Sequence, residues 1–494
     1  MQNLTDFLSY FLIIKRGFVN PVRKLFKSME EPESYIDRIQ RLANRNKELK
    51  SQLDDLVARF SAIETQNKSY QDALSKFSLD AEKKPKDARK HAKRLRMVSL
   101  IYVSVRGFHK LYKFDDPAPM IDLLDELYLA LDEIAFLNNI VKIKSVGDVN
   151  IYAAGLQTEN RTNPIDVVQV ALEMQKAVKR LKKKNSLSIW RLRIGLHTGP
   201  LTAVPNGNKV STYSFSGDSI NIACRIGEAV SGSSIGATVM TYELIKEFYD
   251  TRLIGKIPVK YKGNLGVYQI RGIIPELESE TEPGIPNEKF KLKYSTLQFM
   301  DVQEELLDYL EKKLPADLYY HNIKHTIDVV TEVELIGWAE GVSDEDVLLL
   351  KLAALFHDAG HTISYKDHEH YGTVMAREKL SSYDFSPQQI DTVCRLIMAT
   401  KMPPAPSDIL EKIICDSDLD YLGRTDFIPV SNTLYKELHE HDMIGSWSEW
   451  NKLQLKFIRK HQYFTKTARQ LREVNKQQQI ERLEQLIKES TLIE

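Results

Sequence analysis

Six of the twelve histidines in this 494-residue chain fall within residues 321–370: His321, His325, His357, His361, His368 and His370. Asp358 follows His357 directly, and Asp416 and Asp418 lie further along. His321 and His325 are four apart, so a helix sets both imidazoles on one face. Imidazoles and carboxylates together suit borderline or hard divalent ions such as Zn, Mn, Fe or Mg, without choosing among them. A held ion can make water a nucleophile near neutral pH. A histidine beside it can deliver a proton to a leaving group.

These residues stand in three motifs: YYHNIKHTIDVV at Tyr319–Val330, FHDAGH at Phe356–His361 and CDSDLDYLG at Cys415–Gly423. In that order the motifs resemble the HD metal-dependent phosphohydrolases. The HNxxH form resembles the class I cyclic-nucleotide phosphodiesterases within them. The resemblance implies His325, His357, Asp358 and Asp418 as metal ligands, with Asp416 as the substitute for Asp418. It implies His321 as the general acid. For His361, His368 and His370 the resemblance leaves open a second metal, the phosphate, or a place on the surface or behind the ligands. The implied reaction is hydrolysis of cyclic AMP or GMP to the monophosphate. The 60-residue step from Asp358 to Asp418 is tighter than in the animal enzymes. The base-holding glutamine of the family is open among Gln388, Gln389 and Gln462, and a linear nucleotide or cyclic dinucleotide stays open as substrate.

A second group of residues lies upstream in four pieces: SVRGF at Ser104–Phe108, IKSVGD at Ile143–Asp148, LRIGLHTGP at Leu192–Pro200 and SFSGDSINIACRI at Ser214–Ile226. Their order and separations resemble the catalytic domain of class III adenylyl and guanylyl cyclases. That family holds two metal ions between two aspartates. Asp148 matches the second, but the first position is Ser104. A serine hydroxyl does not replace a carboxylate for a hard cation. Lys144 and Ser214 match the base-reading positions, and Asn221 and Arg225 match those that orient ribose and phosphate. The resemblance therefore implies a nucleotide cleft, with Mg accompanying the nucleotide, whose own chemistry is weak or lost. A bare dimerisation scaffold and an active cyclase recruiting Asp115 or Asp116 are the alternatives.

The elements that position these groups follow from periodicity. Met97–Val105 reads as a buried strand. Further strands are expected at Val141–Lys144, Ile151–Ala154, Trp190–Leu196 and Lys209–Phe215, with helices at Met120–Asn138 and Pro164–Lys183. The alternation predicts an α/β domain of ferredoxin-like type over residues 96–273. A polar linker is expected at 274–289, an all-α HD domain at 290–465 and a C-terminal helix at 466–494. Upstream, Ile39, Leu42, Asn46, Leu49, Leu53, Leu56, Phe60, Ile63 and Asn67 alternate steps of three and four. This predicts a parallel coiled coil over 35–80, with Asn46 and Asn67 at a positions setting register. Residues 81–95 read as a charged linker. Residues 1–34 read as an amphipathic segment whose apolar run, Phe7–Ile14, is too short to span a bilayer. Its basic residues leave contact with a membrane surface as an alternative.

Composition bounds the rest. Lys plus Arg and Asp plus Glu are both 68, so no bulk electrostatic pull toward nucleic acid is expected. Three scattered cysteines make no disulfide framework, which points to a reducing cytoplasm. The combined expectation is a multidomain homodimer, joined by coiled coil and cyclase domain. A cyclic-nucleotide phosphodiesterase would then be governed by a degenerate cyclase domain binding a nucleotide effector. An adenylate cyclase with a product-limiting HD domain, and a non-enzymatic nucleotide sensor, are the competing readings.

Overall fold

The computed structural model describes residues 92–106, 118–185, 191–205, 213–259 and 263–491. The expected amphipathic segment, the coiled coil and most of the charged linker lie outside the described residues, as do Asp115 and Asp116. The described residues within 92–204 and 214–491 form one compact unit. Among the described residues, no helix is long and apolar enough to cross a membrane.

The first part runs β1 (Lys93–Arg106), α1 (Ala118–Leu137), β2 (Val141–Val146), β3 (Val149–Ala154), α2 (Asn163–Asn185), β4 (Arg191–Pro205), β5 (Tyr213–Ser216), α3 (Asp218–Ala229), β6 (Ile235–Thr238), α4 (Val239–Ile245), β7 (Tyr249–Val259) and β8 (Gly263–Ile273). The sheet order is β2-β3-β1-β4-β6-β8-β7, with β5 paired to β4. Only the β4–β6 pairing is parallel among the described ladders along that path. Strand β1 is central, so both of its faces are apolar. Ile101, Val103 and Val105 pack into the main core with residues of α1 and α2. Leu100 and Tyr102 point the other way, toward Ile220 and Ala223 of α3. Helix α3 lies close on the sheet: a Cβ at Gly195 would sit 2.3 Å from the Ala223 carbonyl oxygen. β1 already begins at Lys93, so the last residues of the expected linker are strand.

The second part is helical: α5 (Glu288–Lys313), α6 (Ile323–Glu340), α7 (Asp344–Phe356), α8 (His368–Ser381), α9 (Pro387–Ala399), α10 (Ile409–Asp418), α11 (Phe427–Glu440), α12 (Trp447–Lys460) and α13 (Lys466–Thr491). Its core gathers Val329, Val333, Leu352, Leu355, Phe356, Leu396, Ile397, Ile413 and Ile414. The expected C-terminal helix is α13, and it packs on α6, on α12 and on the turn Asp420–Gly423. The Arg472 guanidinium binds Asp420 Oδ1 at 2.5 Å and Glu332 Oε1 at 3.3 Å.

Residues 274–289 are not a loose tether. Glu278 bridges to Pro286, Leu277 is buried, and Lys176 Nζ donates to the Gly284 carbonyl at 2.9 Å. Helix α5 then runs through both cores. Phe290 meets Phe248 edge-on at 5.0 Å in the first, while Phe299, Val302, Leu306 and Leu310 fill the second. Between them, the Tyr294 hydroxyl donates to Asp166 Oδ1 at 2.7 Å. Asp301, almost fully buried, pairs with the Arg161 side chain and accepts from its backbone N–H at 2.8 Å.

Candidate metal centre and nucleotide cleft

Three chain segments meet at the histidine cluster. Asn322 caps α6, its side chain accepting from the N–H groups of Lys324 and His325 at 2.8 and 3.3 Å, which seats His325 in the first turn. Helix α7, acidic in its first turn and buried along Val347–Leu350 and Leu352–Phe356, delivers His357 and Asp358 at its end, in the interior of the domain. The turn after it can lie against α8 only as glycine: a Cβ at Gly360 would meet the His368 carbonyl at 2.0 Å. Helix α10 brings Asp418.

His325 Nε2 lies 3.1 Å from Asp418 Oδ1 and 3.4 Å from Asp358 Oδ2. His357 Nε2 lies 3.1 Å from Asp358 Oδ2 and 3.5 Å from Asp418 Oδ1. The two imidazole nitrogens are 3.3 Å apart. His357 Nδ1 donates to the Ala354 carbonyl at 2.7 Å, so its Nε2 presents a lone pair when the ring is neutral. Asp358 Oδ2 is buried without a well-aligned hydrogen bond. Two imidazoles and two carboxylates turned on one point, with an orphaned oxygen among them, fit a divalent cation.

The electrostatics agree. Burial opposes charge on His325 and His357, yet Asp358 and Asp418 pull both pKa values up, that of His357 well above the ordinary imidazole range. Burial works to raise Asp358 and Asp418, and the facing histidines nevertheless hold both down. Four groups this close balance their charges by sharing protons, and a cation meets the same demand.

The other carboxylate oxygen, Asp358 Oδ1, faces His368 Nε2 at 3.5 Å and His361 Nε2 at 3.9 Å. The two rings stack at 3.9 Å. Burial drives the His361 pKa down to about 3, and neither ring nitrogen has a hydrogen-bond partner among the described residues. Neutral imidazole with an open lone pair is the ligand form of histidine. His370 is not brought in: it is exposed on α8, with its ring against Tyr371. Asp416 is also elsewhere. Fully buried, it accepts from the Phe464 and Thr465 N–H groups and from the Thr465 hydroxyl, fastening the start of α13. It cannot substitute for Asp418 while so engaged.

His321 stands beside this centre, its ring 4.7 Å from that of His361. Its Nδ1 is hydrogen-bonded to Glu437 Oε1 of α11. Glu437 is fully buried, and its Oε2 accepts from the Tyr320 and His321 N–H groups at 2.9 and 3.1 Å. Burial would raise its pKa, but His321 and those N–H groups lower it. It is a carboxylate, so the Nδ1 contact requires the proton on that nitrogen. Sequence reasoning missed Glu437; it is 116 residues from His321 and no motif marks it.

A cavity of ≈290 Å³ opens beside His321 and Asp418, walled by Leu419, Phe427, Leu438, Trp450, Gln454 and Phe457. Gln454 Oε1 accepts from the buried Ser431 hydroxyl at 2.5 Å. Gln454 Nε2 and the Trp450 indole N–H have no acceptor among the described residues. None of the three glutamines weighed from sequence lines this space: Gln389 closes the capping box of α9, Gln388 precedes it, and Gln462 follows α12. The available signal was Gln454 and Phe457 at helical spacing on one face of α12.

The residues expected at a nucleotide cleft lie in the α/β part, on strands, a turn and a helix. Ser104 is fully buried on β1, opposite Val149, and its hydroxyl donates to Asp148 Oδ2 at 3.2 Å. Asp148 sits at the β2–β3 turn, after Gly147 at φ 58°. Lys144 and Ser214 are exposed on β2 and β5. Asn221 and Arg225 share the exposed face of α3, and Arg225 Nη1 donates to the Pro258 carbonyl at 2.8 Å. Among the described residues, groups of three or more metal-ligating side chains occur only in the helical part.

Residues 90–272 match the family model of the adenylate and guanylate cyclase catalytic domain, and residues 322–422 match that of the HD domain. Curated relatives include guanylyl cyclase C of Cavia porcellus, 26% identical over 44% of this chain and 21% of that protein. Retinal guanylyl cyclase 2 of Rattus norvegicus is 27% identical over 36% of this chain and 16% of that protein. The match thus spans only about a fifth of these relatives' length. Among solved structures, the adenylyl cyclase CyaB from P. aeruginosa is 23% identical, covering 38% of this chain and 99% of that one at a TM-score of 0.35. The catalytic core of a rhodopsin-guanylyl cyclase is 24% identical, with 37% and 99% covered and a TM-score of 0.33. The chain therefore carries a class III adenylyl/guanylyl cyclase catalytic domain followed by an HD domain.

Proposed function

We propose that the HD domain is a metal-dependent phosphodiesterase that opens 3′,5′-cyclic nucleotides to the 5′-monophosphate, governed by a nucleotide-binding cyclase domain that has lost most of its own chemistry. One observation carries the reading: the His325, His357, Asp358 and Asp418 cluster adjoins both the Glu437-held His321 and an apolar cavity fit for a base.

These four residues would hold one divalent ion, and Asp358 Oδ1 with His361 and His368 would hold a second. Such ions supply positive charge for the phosphate and lower the pKa of water. The remaining work falls to the chain. The base enters between Phe427, Leu438 and Phe457. Gln454 Nε2 and Trp450 Nε1 are buried donors lacking acceptors, which a purine edge provides through N7 and, in guanine, O6. Water adds to phosphorus and the P–O3′ bond breaks. With its Nδ1 proton held by Glu437, protonated His321 gives its Nε2 proton to the leaving O3′.

In the cyclase domain, Ser104 in place of a carboxylate supports binding without efficient turnover. The domain would act on its neighbour through α5, which is rooted in both cores. Homodimerisation fits a cyclase fold that builds its cleft between two copies. The competing reading, a working cyclase, is favoured by the curated relatives being guanylyl cyclases.

The test is a paired product assay on protein supplied with Mg²⁺, Mn²⁺, Fe²⁺ or Zn²⁺. Cyclic AMP or GMP should yield the monophosphate. ATP or GTP, given to Asp358→Ala so that product survives, should yield no cyclic nucleotide. Synthesis there without hydrolysis by the wild type would reverse the assignment.

A further inference from the structure

The Glu437 carboxylate has a fourth hydrogen bond. The Tyr365 hydroxyl donates to Glu437 Oε1 at 3.1 Å, on the same oxygen that holds the His321 ring. Tyr365 comes from the turn between the two histidines that face Asp358 Oδ1, and its ring lies 5.0 Å from that of His361. On its other side it packs against His441 at 4.6 Å, whose Nε2 is 3.4 Å from Asp317 Oδ2. Burial and the nearby Glu437 charge raise the Tyr365 pKa, so it stays a donor.

We propose that Tyr365 is a positioning residue for proton delivery by His321, fixing the Glu437 oxygen on which the imidazole turns. This rests on the phosphodiesterase reading above. Backbone N–H groups pin only Oε2. Without a second donor, Oε1 keeps only the imidazole itself as partner, and carboxylate and ring can rock together. With Tyr365 present, each oxygen has a fixed donor and the His321 Nε2–H direction is set. In the step served, the bond from the attacking water oxygen to phosphorus forms. The P–O3′ electron pair goes to O3′, which takes the Nε2 proton and leaves a neutral imidazole. The surplus proton of the water restores the imidazole before the next turnover. Tyr365 itself touches no reacting atom.

The experiment compares Tyr365→Phe with wild type on two diesters, at equal metal content measured by elemental analysis. With a cyclic nucleotide the leaving group is a poor alkoxide, and loss of one orienting hydrogen bond should lower kcat ~3- to 10-fold with KM unchanged. With bis(4-nitrophenyl) phosphate the leaving phenolate needs no proton, and turnover should stay within about twofold. In a His321→Ala background, Tyr365→Phe should cause no further loss on the cyclic nucleotide. Equal loss on both diesters would make Tyr365 a support of the metal histidines and overturn the proposal. Loss undiminished in the His321→Ala background, or no loss at all, would also overturn it. A wild type that cleaves the nitrophenyl diester but no cyclic nucleotide would instead sink the substrate assignment, and the proposal with it.

Discussion

Asp166 at the junction of the two domains makes stability depend on pH in a direction opposite to an ordinary ion-paired carboxylate. It lies in the first turn of α2, with the Tyr294 hydroxyl of α5 on its Oδ1 at 2.7 Å. Burial outweighs the hydrogen bonds from Tyr294 and Thr162 and lifts its pKa from an ordinary 3.8 to about 7. A carboxyl whose folded pKa exceeds its unfolded one stabilises the fold fully below the unfolded value. That contribution drains away as pH rises through the folded value. At ~1.4 kcal/mol per tenfold change, the rise is worth ~4 kcal/mol in total, and linkage places ~2.5 kcal/mol of it between pH 5 and 8. Asp166→Asn keeps an oxygen to accept from Tyr294 and cannot ionise. Urea unfolding of both proteins, in parallel from pH 5 to 8, should therefore show the variant gaining on the wild type by that order, and levelling off above about pH 8. Parallel curves across the range would refute the burial argument. A variant that loses ground as pH rises would show an ionised Asp166 to be stabilising.

Other consequences concern the two sites. His325→Ala and Asp358→Ala should each lower bound metal and reduce cyclic-nucleotide hydrolysis by at least ~100-fold, read by elemental analysis and product formation; full metal content in either variant would contradict the ligand assignment. Gln454→Ala should raise KM ~10-fold or more for the purine substrate, through loss of a buried donor, and leave kcat nearly intact. A fall in kcat alone would take Gln454 out of base binding. Ser104→Asp sets a second carboxylate in the buried position beside Asp148. The variant should melt lower than wild type without Mg²⁺ and recover when Mg²⁺ and nucleotide are added. No recovery would mean that the cleft has lost more than one ligand.

Residue types and order alone made much of this protein legible. The His, His-Asp, Asp succession announces a metal centre because only a few side chains bind divalent ions. The run Met97–Val105 announces a buried strand because apolar residues crowd both of its faces, with only Ser99 and Ser104 among them, and β1 contains it. Tertiary structure decided what lies between equivalent chemical choices. Asp416 and Asp418 are the same residue type two positions apart, and a helix turns them about 200° from one another. One meets the histidines and the other fastens α13. Glu437 and Tyr365 carry no local mark and Gln454 only its helical spacing from Phe457, since their value arises from neighbours 116, 72 and 23 residues away. The expected linker likewise became a pinned loop through Lys176, more than a hundred residues upstream. Local periodicity encodes which face of an element is apolar. Which polar side chain ends up beside another is set by the packing of distant elements, and that information exists only once the chain has folded.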